Sequence, residues 1–404
     1  MPPLYHFNPS FQAPQGSPIR EMFKYMAQPG MISFAGGYPA ASLFDVNALA
    51  QASTEILAQT PSSCLQYGAT EGMNGLAEAL RAVMQQRAPS ADATPLLVTT
   101  GSQQAFELLL KVLIGPGNCV AIERPAYPAA IQALRLSEAK IVDIPSDAQG
   151  MDTQALEQTL EAGARPKLLY IVPTFANPTG ASLPLERRQH LLALALRYQF
   201  LIVEDDPYGA LRFSGEPQAS LLELAADIPG ASEWVIYLSS LSKIMAPGLR
   251  IGWMVAPAEI LRRCIIAKQT GDLCTAPWMQ LTAAQYLRSG RLEQHLPKVV
   301  GIYKERCNAM LNALHKHFGQ TLEVTAPDGG MFIWARWRDG SEARALLEYA
   351  IAENVMYIPG SAFYASAPDP AQLRLSFATA SLEEIAEGVA RLKRAHDAYR
   401  AKEQ

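Results

Sequence analysis

Short apolar runs alternate with longer helical patterns between residues 95 and 240, and this alternation limits the possible folds more than any other feature of the chain. The runs are continuously apolar, which is typical of strands buried on both faces of a parallel or mixed sheet. The six runs are LLVTT (96–100), CVAIE (119–123), AKIVDI (139–144), KLLYIV (167–172), FLIVED (200–205) and WVIYLSS (234–240). The sequence therefore predicts an α/β fold in which helices cover both faces of one sheet.

The pattern changes after residue 257, where long helical segments precede three further strand-like runs. Those runs are GGMFIWARW (329–337), VMYIPG (355–360) and QLRLSFA (372–378). They predict a second, smaller α+β domain. We expect residues 1–55 to form an N-terminal arm and part of this small domain, residues 56–290 the large domain, and residues 291–404 the C-terminal small domain. The last helix is expected to open with a capping box, Ser381 to Glu384.

Composition excludes several classes of protein. The chain has 34 basic and 38 acidic residues, so its net charge of −4 argues against a nucleic acid or an anionic membrane as partner. Its five cysteines are scattered and never form CxxC, which predicts reduced thiols and no metal site. No signal-peptide pattern or stretch of 18 uncharged apolar residues occurs, so we expect a soluble, cytoplasmic protein.

Small and polar residues follow the predicted strands, among them Gly101, Asn177, Asp205 and Lys243. In open α/β sheets ligands bind just beyond the carboxyl ends of the strands. This clustering predicts a single site at one edge of the sheet.

The spacing Ser240-x-x-Lys243 fits two chemistries: a serine nucleophile activated by a lysine, or a lysine that forms the covalent bond itself. Serine enzymes with this spacing add SDN and KTG elements, whereas this chain has SDA (146–148) and QTG (269–271), and it lacks a G-x-S-x-G elbow. The lysine interpretation gains support from ANPTG (176–180) and EDDPY (204–208), which present an amide, a carboxylate and a phenol at strand ends.

Over nearly its whole length the sequence resembles the fold type I aminotransferases that use pyridoxal phosphate, especially the branch with kynurenine/2-aminoadipate and aromatic aminotransferases. The resemblance implies a three-layer large domain around a mostly parallel mixed sheet. The matching elements are GGYP (36–39), QYGATEGMNGLAEALR (66–81), GSQQ (101–104), ERPAYP (123–128), ANPTG, EDDPY, SSLSKIMAPGLRIGW (239–253), GGMFIW (329–334), PGSAF (359–363) and LRLSFA (373–378).

This resemblance implies the catalytic roles. Lys243 would form the Schiff base with the cofactor aldehyde and later move a proton, which requires a neutral amine and hence a depressed pKa. Asp205 would face the pyridine nitrogen, and its neighbour Asp206 would point to the opposite side of the strand. Asn177 and Tyr208 would donate hydrogen bonds to the phenolic oxygen of the ring.

The phosphate-binding residues follow from the same resemblance. Gly101, Ser102 and Gln103 open a predicted helix, whose free N–H groups suit a phosphate dianion. Ser240 and Arg250 would complete the phosphate site, which makes Ser240 a ligand and not a nucleophile.

Three further residues carry roles in related enzymes. Tyr127 would stack on the pyridine face, and Arg374 would bind the substrate α-carboxylate together with Asn177. Tyr67 is similar to the tyrosine that reaches the phosphate of a neighbouring subunit, which implies a homodimer.

Side-chain specificity in this family comes from the N-terminal arm, here residues 17–22 with Arg20, and from Gly37 and Tyr38. We expect broad specificity, with Arg20 pairing with the distal carboxylate of 2-aminoadipate or glutamate, and 2-oxoglutarate as acceptor. A solvated charge at the start of a helix is an equally good interpretation of Arg20.

Other functions remain open at this point. The same cofactor chemistry serves β-lyases, decarboxylases and synthases. The chain also resembles the ligand domain of a family of transcription regulators, but we expect the unpatterned arm of about 30 residues ahead of the GGYP region to leave no room for the DNA-binding domain that those regulators carry. A non-catalytic protein on this fold is disfavoured, because Lys243, Asp205, Asn177 and Arg374 are all present.

Overall fold

An eight-stranded mixed sheet forms the centre of the larger part of the molecule. The computed structural model describes residues 5–11, 16, 25, 28–91 and 94–403. The strand order in this sheet is β2-β9-β8-β7-β6-β3-β4-β5. The strands are β2 (Leu96–Thr99), β3 (Cys119–Arg124), β4 (Lys140–Asp147), β5 (Gly150–Met151), β6 (Leu168–Ile171), β7 (Leu201–Asp205), β8 (Val235–Ser240) and β9 (Gly252–Val255).

Most neighbouring strands of this sheet run parallel. The parallel pairs are β4–β3, β3–β6, β6–β7 and β7–β8, whereas β9 lies antiparallel between β8 and β2. Consequently β2, β3, β6, β7 and β8 all end at one edge of the sheet. The prediction of a mostly parallel mixed sheet is confirmed, and each of the six predicted runs overlaps a strand. The sequence did not predict β9.

Helices cover both faces of this sheet. Every residue of β2, β6, β8 and β9 is therefore buried. The helix Gly101–Leu113 shows the cause: Ala105, Phe106, Leu108 and Leu109 recur at helical spacing and are all buried. The other helices around this sheet are Val46–Gln59, Pro61–Leu65, Asn74–Met84, Pro128–Leu136, Thr153–Glu161, Leu185–Tyr198, Leu221–Ala226, Ala258–Gln269 and Pro277–Arg288.

A smaller, antiparallel sheet follows in the sequence, with the strand order β10-β11-β14-β13. Separately, β1 pairs in parallel with β12, which joins residues 32–33 to the C-terminal part of the chain. The division at residues 55/56 and 290/291 stays a prediction. The strands concerned are β1 (Ile32–Ser33), β10 (Leu322–Thr325), β11 (Phe332–Trp337), β12 (Val355–Met356), β13 (Ile358–Pro359) and β14 (Gln372–Ser376), and the helices are Arg291–Phe318, Ala343–Ala352 and Leu382–Glu403.

The last helix, Leu382–Glu403, opens with the predicted capping box. The backbone N–H of Ser381 donates to Glu384 Oε2 at 2.8 Å, and the N–H of Glu384 donates to Ser381 Oγ at 3.1 Å. Two N–H groups that the helix leaves unpaired are therefore satisfied reciprocally.

The five cysteines are free thiols. Burial raises the pKa of Cys264 and of Cys307 to about 12, so these two side chains stay protonated and pack as small apolar groups. Among the described helices, none is long and apolar enough to cross a membrane.

Strand β9 passes unusually close to the start of the helix Gly101–Leu113. A Cβ added to Gly252 would lie 2.4 Å from the carbonyl carbon of Gly101 and 2.6 Å from the amide nitrogen of Ser102. Since these are backbone atoms, no side-chain rotation relieves the contact. Glycine at position 252 therefore allows the strand and the helix start to meet.

We predict that Gly252→Ala lowers the free energy of unfolding by about 1–3 kcal/mol, because the added methyl group displaces the helix start. Gly301→Ala is the control: position 301 lies inside the helix Arg291–Phe318 with open space around it, so the change stabilises by up to about 1 kcal/mol. Urea denaturation measures both. Equal stability of Gly252→Ala and the wild type would contradict the close approach.

Candidate active site

A cavity of about 330 Å³ lies where the carboxyl ends of the parallel strands meet. The strands β2, β3, β6, β7 and β8 each end beside it, and Arg374 reaches it from β14 of the smaller sheet. Of the predicted site residues, those that line the cavity are Gly37, Tyr38, Gly101, Ser102, Gln103, Tyr127, Asn177, Asp205, Tyr208, Ser240, Lys243, Arg250 and Arg374.

Two predicted residues do not appear in this cavity. Tyr67 is 77% exposed and does not line it. This position fits the expectation that Tyr67 serves a neighbouring subunit, which stays a prediction. Arg20, with the segment 17–22, lies outside the described residues.

Lys243 follows β8 by three residues and extends its amine into the cavity. Its Nζ donates a hydrogen bond to the carbonyl of Gly37 at 2.8 Å. Burial lowers the pKa of Lys243 to about 8, and the positive charges of Arg374 and Arg250 act in the same direction, against Asp205. An amine with this pKa is substantially neutral near pH 8 and can act as a nucleophile or a base.

Ser240 does not pair with Lys243. Its hydroxyl lies 2.7 Å from Ser242 Oγ and 3.1 Å from the carbonyl oxygen of Ile251, while Lys243 Nζ bonds to Gly37. The Ser240 side chain therefore helps shape the turn after β8. This geometry favours the lysine, and not the serine, as the reactive group.

Asp205 and Asp206 point to opposite sides of the sheet, as predicted from strand alternation. Asp205 lines the cavity, where its Oδ2 accepts a hydrogen bond from the Tyr170 hydroxyl at 2.6 Å. Asp206 instead accepts from Arg87 Nε at 2.8 Å and from the Tyr237 hydroxyl at 3.2 Å. Only Asp205 is available to a ligand in the cavity.

The second oxygen of Asp205 is buried without a hydrogen bond of good geometry from any described residue. Burial raises the pKa of Asp205 to about 6, although the hydrogen bond from Tyr170 and a weaker contact with the Ser102 hydroxyl lower it. A buried carboxylate oxygen without a donor is costly, so proteins rarely keep one without a functional reason. A cationic N–H donor in the cavity would satisfy this oxygen and restore the charged form.

The helix Gly101–Leu113 points its start at the cavity. Gly101 has φ +78°, and a Cβ there would lie 2.7 Å from Arg250 Nη2. Arg250 itself has φ +55° and donates from Nη2 to the carbonyl of Thr100 at 3.2 Å. The unpaired N–H groups, the helix dipole and the guanidinium together form an anion site.

Arg374 is 1% exposed, and its guanidinium has no carboxylate partner among the described residues. Its Nη1 donates to Asn177 Oδ1 at 2.8 Å, its Nη2 donates to the carbonyl of Ala35 at 2.6 Å, and its Nε lacks a partner. Burial lowers the pKa of Arg374 to about 10, so it stays charged at neutral pH. A buried cation without a counter-ion is suited to bind an anion, in this geometry a carboxylate.

Asn177 and Tyr208 lie side by side between Arg374 and Asp205. Both side chains are buried, and the Asn177 Oδ1 is engaged by Arg374, which leaves its amide N–H groups to donate elsewhere. Burial raises the pKa of Tyr208, partly offset by the charge of Arg374 and by Asn177, so its hydroxyl stays a donor. Tyr127 lines the cavity from the loop after β3.

Sequence reasoning missed three polar residues of the cavity lining: Gln132, Tyr170 and Ser242. Tyr170 is the most informative, because it contacts Asp205 directly. Its hydroxyl is the one polar side-chain group of β6, LLYI, and that was the available signal.

The donor set of the cavity fits pyridoxal phosphate. An amine with a lowered pKa, a buried acceptor without a donor and a helix start with an arginine match an aldehyde, a protonated ring nitrogen and a phosphate, respectively. The fit rests on the pKa of Lys243, the unpaired Oδ1 of Asp205 and the glycine at position 101.

Comparisons with known proteins agree with this chemistry. The family model for class I and II aminotransferases matches residues 31–392. The chain is 41% identical to aromatic-amino-acid aminotransferase 1 of Thermococcus litoralis, over 94% of this chain and 91% of that protein.

Two solved structures share the fold. A kynurenine aminotransferase of Pyrococcus horikoshii, in complex with PMP, superposes with a TM-score of 0.92 at 39% identity, covering 97% of each chain. The α-aminoadipate aminotransferase of Thermus thermophilus, complexed with N-(5'-phosphopyridoxyl)-L-leucine, superposes with a TM-score of 0.89 at 39% identity, covering 98% of each chain.

We predict that the rate of acetylation of Lys243 in the cofactor-free protein rises with pH, reaches half its maximum near pH 8 and levels off about one pH unit higher, because only the neutral amine reacts. Peptide mass spectrometry after brief treatment with acetic anhydride measures the rate at each pH. In Arg374→Gln the midpoint shifts upward, since a charge that lowers the pKa is removed. A wild-type rate that keeps rising beyond pH 10 would contradict the lowered pKa.

Proposed function

This chain belongs to the class I and II aminotransferases, and we propose that its amino donors are 2-aminoadipate, glutamate and aromatic amino acids, with a 2-oxo acid such as 2-oxoglutarate as acceptor. It is a pyridoxal-phosphate-dependent transaminase. The observation that carries the proposed roles is that Lys243, Asp205 and Arg374 line one cavity, where Asp205 Oδ1 and Arg374 Nε accept and donate no hydrogen bond of good geometry among the described residues.

When bound, pyridoxal phosphate withdraws electrons from the substrate α-carbon and so makes its proton acidic. Asp205 would keep the ring nitrogen protonated, because its buried Oδ1 lacks a donor and its pKa would fall on meeting a cation. Asn177 and Tyr208 would donate to the phenolic oxygen. Tyr127 would cover one face of the ring.

The phosphate would lie at the start of the helix Gly101–Leu113. Gly101, Ser102 and Gln103 supply N–H groups there, and Arg250 and Ser240 line the same end of the cavity. A dianion in this position gains from the helix dipole and from one charge-assisted contact to the guanidinium.

Lys243 would hold the cofactor aldehyde covalently and, once released, would take a proton at Nζ from the substrate α-carbon. A pKa of about 8 places this amine near the pH at which a base is most useful. The carbonyl of Gly37, 2.8 Å away, orients Nζ within the cavity. Arg374 would bind the substrate carboxylate through Nε and a second N–H, and so keep the α-carbon close to Lys243.

Support for the donor range comes from three relatives, which are named for aromatic amino acids, kynurenine and α-aminoadipate. A site that accepts both acidic and aromatic donors needs a cation that pairs with the distal carboxylate of an acidic donor and makes no contact with an aromatic ring. Arg20 is the proposed cation, and Gly37 and Tyr38, which line the cavity, are the other proposed specificity residues. Glycine at 37 leaves at least 3.6 Å between a hypothetical Cβ and its nearest neighbour.

The proposed assembly is a cytoplasmic homodimer in which Tyr67 reaches the phosphate of the neighbouring subunit. Leu65 is 73% exposed and Tyr67 is 77% exposed, and both lie in the segment that begins with the helix Pro61–Leu65. Exposed apolar side chains next to each other are common in subunit interfaces.

The proposed function predicts a yellow absorption band on adding pyridoxal phosphate to the cofactor-free protein, and loss of that band on adding 2-aminoadipate, glutamate or an aromatic amino acid. Lys243→Ala abolishes the band, because no amine remains at the aldehyde. Lys393→Ala, which removes a lysine of the helix Leu382–Glu403, keeps it. A band that no amino acid converts would refute transamination of these donors.

The proposed role of Arg20 predicts an unequal effect of Arg20→Ala. The kcat/KM for 2-aminoadipate falls about tenfold or more, because the distal carboxylate loses a charged partner, whereas the value for an aromatic donor changes little. Steady-state kinetics with both donors measure the difference. Equal losses would remove Arg20 from the specificity site.

A further inference from the structure

A group of polar side chains lies directly behind the helix start that faces the cavity. It consists of Thr100, Gln104, Lys268 and Asp272, which we call the Lys268 cluster. Lys268 lies in the last turn of the helix Ala258–Gln269, and Asp272 follows that helix, so the pair has i,i+4 spacing. None of these four residues lines the cavity.

Hydrogen bonds connect all members of the Lys268 cluster. Lys268 Nζ donates to both carboxylate oxygens of Asp272 at 2.7 and 2.8 Å and to Gln104 Oε1 at 3.2 Å. Asp272 Oδ2 also accepts from Gln104 Nε2 at 2.7 Å and from the Thr100 hydroxyl at 3.1 Å. The N–H of Thr100 donates to Gln104 Oε1 at 2.8 Å.

The two charges fix the orientation of the Gln104 amide. The Lys268 ammonium attracts its oxygen and the Asp272 carboxylate attracts its nitrogen, so a flipped amide would face both charges with the wrong atom. In the observed orientation the amide oxygen accepts from the backbone of Thr100. The pair thereby holds the residue that directly precedes the helix start.

Burial limits the hydrogen-bonding arrangements that the Lys268 cluster can adopt. The Lys268 side chain is 0% exposed and that of Asp272 is 29% exposed. A buried ammonium is tolerated only when it is paired and its donors are satisfied, and here three acceptor contacts serve it. The cluster therefore has one stable arrangement, and it transmits that arrangement to Thr100.

Thr100 is also tied to the cavity. Its carbonyl accepts from Arg250 Nη2 at 3.2 Å, and the next residue, Gly101, opens the helix with φ +78°. Fixing Thr100 thus fixes both the direction of the free N–H groups and the position of Arg250. These are the groups that the proposed function assigns to the cofactor phosphate.

We propose that Lys268 and Asp272 are positioning residues for phosphate binding: through Gln104 and Thr100 they set the geometry of the helix start and of Arg250. The inference rests on the proposed function, because it needs pyridoxal phosphate as the ligand. The ion pair adds no net charge, so it orders the anion site without opposing a dianion. A lysine alone or an aspartate alone would orient only one end of the Gln104 amide and would add a net charge behind the helix start.

The test compares pyridoxal phosphate with pyridoxal, which lacks the phosphate. Dissociation constants for both are measured by absorbance titration of cofactor-free wild type, Asp272→Ala, Lys268→Met and Thr100→Val. The control is Asp397→Ala, which breaks the i,i+4 pair Lys393–Asp397 on the exposed surface of the helix Leu382–Glu403. Thr100→Val removes one hydroxyl with little change in shape, so it serves if the other variants fail to fold.

We expect Asp272→Ala and Lys268→Met to weaken binding of pyridoxal phosphate about tenfold and Thr100→Val about threefold, with pyridoxal changed less than twofold in each. Asp397→Ala leaves both constants unchanged. Equal losses for the two ligands, or no loss for either in variants that fold, would overturn the positioning role. A wild type that does not bind pyridoxal phosphate would instead overturn the cofactor assignment itself.

Discussion

The parallel register of β6, β7 and β8 decides where the functional groups of this protein emerge. Backbone pairing sets Ile171 opposite Glu204 and Asp205 opposite Leu238, so the three strands end nearly level. Because side chains alternate along a strand, Asp205 faces the cavity while both of its neighbours face away. On that other side Glu204 lies 3.7 Å from Arg188, and Asp206 pairs with Arg87. Of these three consecutive acids, Asp205 therefore faces the ligand cavity, whereas Glu204 and Asp206 interact with arginines on the opposite side.

Desolvation is the common cause of the unusual chemistry at this edge. Burial shifts the pKa of Asp205 up to about 6, that of Lys243 down to about 8 and that of Arg374 down to about 10, in each case toward the neutral form. Each shift measures how strongly the fold disfavours the charge before a ligand arrives. A cationic group beside Asp205 and an anionic group beside Arg374 would relieve the cost of these two buried charges, whereas Lys243 acts in the neutral form that burial favours.

The sequence predicted those parts of the fold that depend on continuous apolar runs and on residues close together in the chain. The six strands, the helix start at Gly101 and the capping box at Ser381 are of this kind. Strand β9 was missed because it has only four residues, and the first two, Gly252 and Trp253, end a motif (239–253) that was interpreted through its lysine and arginine. The Lys268 cluster was missed for a different reason: Gln104 and Lys268 are 164 positions apart, and no local pattern joins them. Arg20 lies outside the described residues, and the role proposed for Tyr67 involves a second subunit, so both roles stay predictions.

Arg374 belongs to the smaller sheet, yet its hydrogen bonds go to Asn177 beyond β6 and to Ala35 near the N-terminal end. One guanidinium therefore fastens three distant segments of the chain and is at the same time the cation offered to a carboxylate. By thermodynamic linkage, any carboxylate that competes for these N–H groups changes how tightly the segments hold together, and any change in their packing alters the affinity for the carboxylate by the same factor. With the role proposed for Arg374, substrate recognition and the mutual stability of the two sheets become one coupled equilibrium.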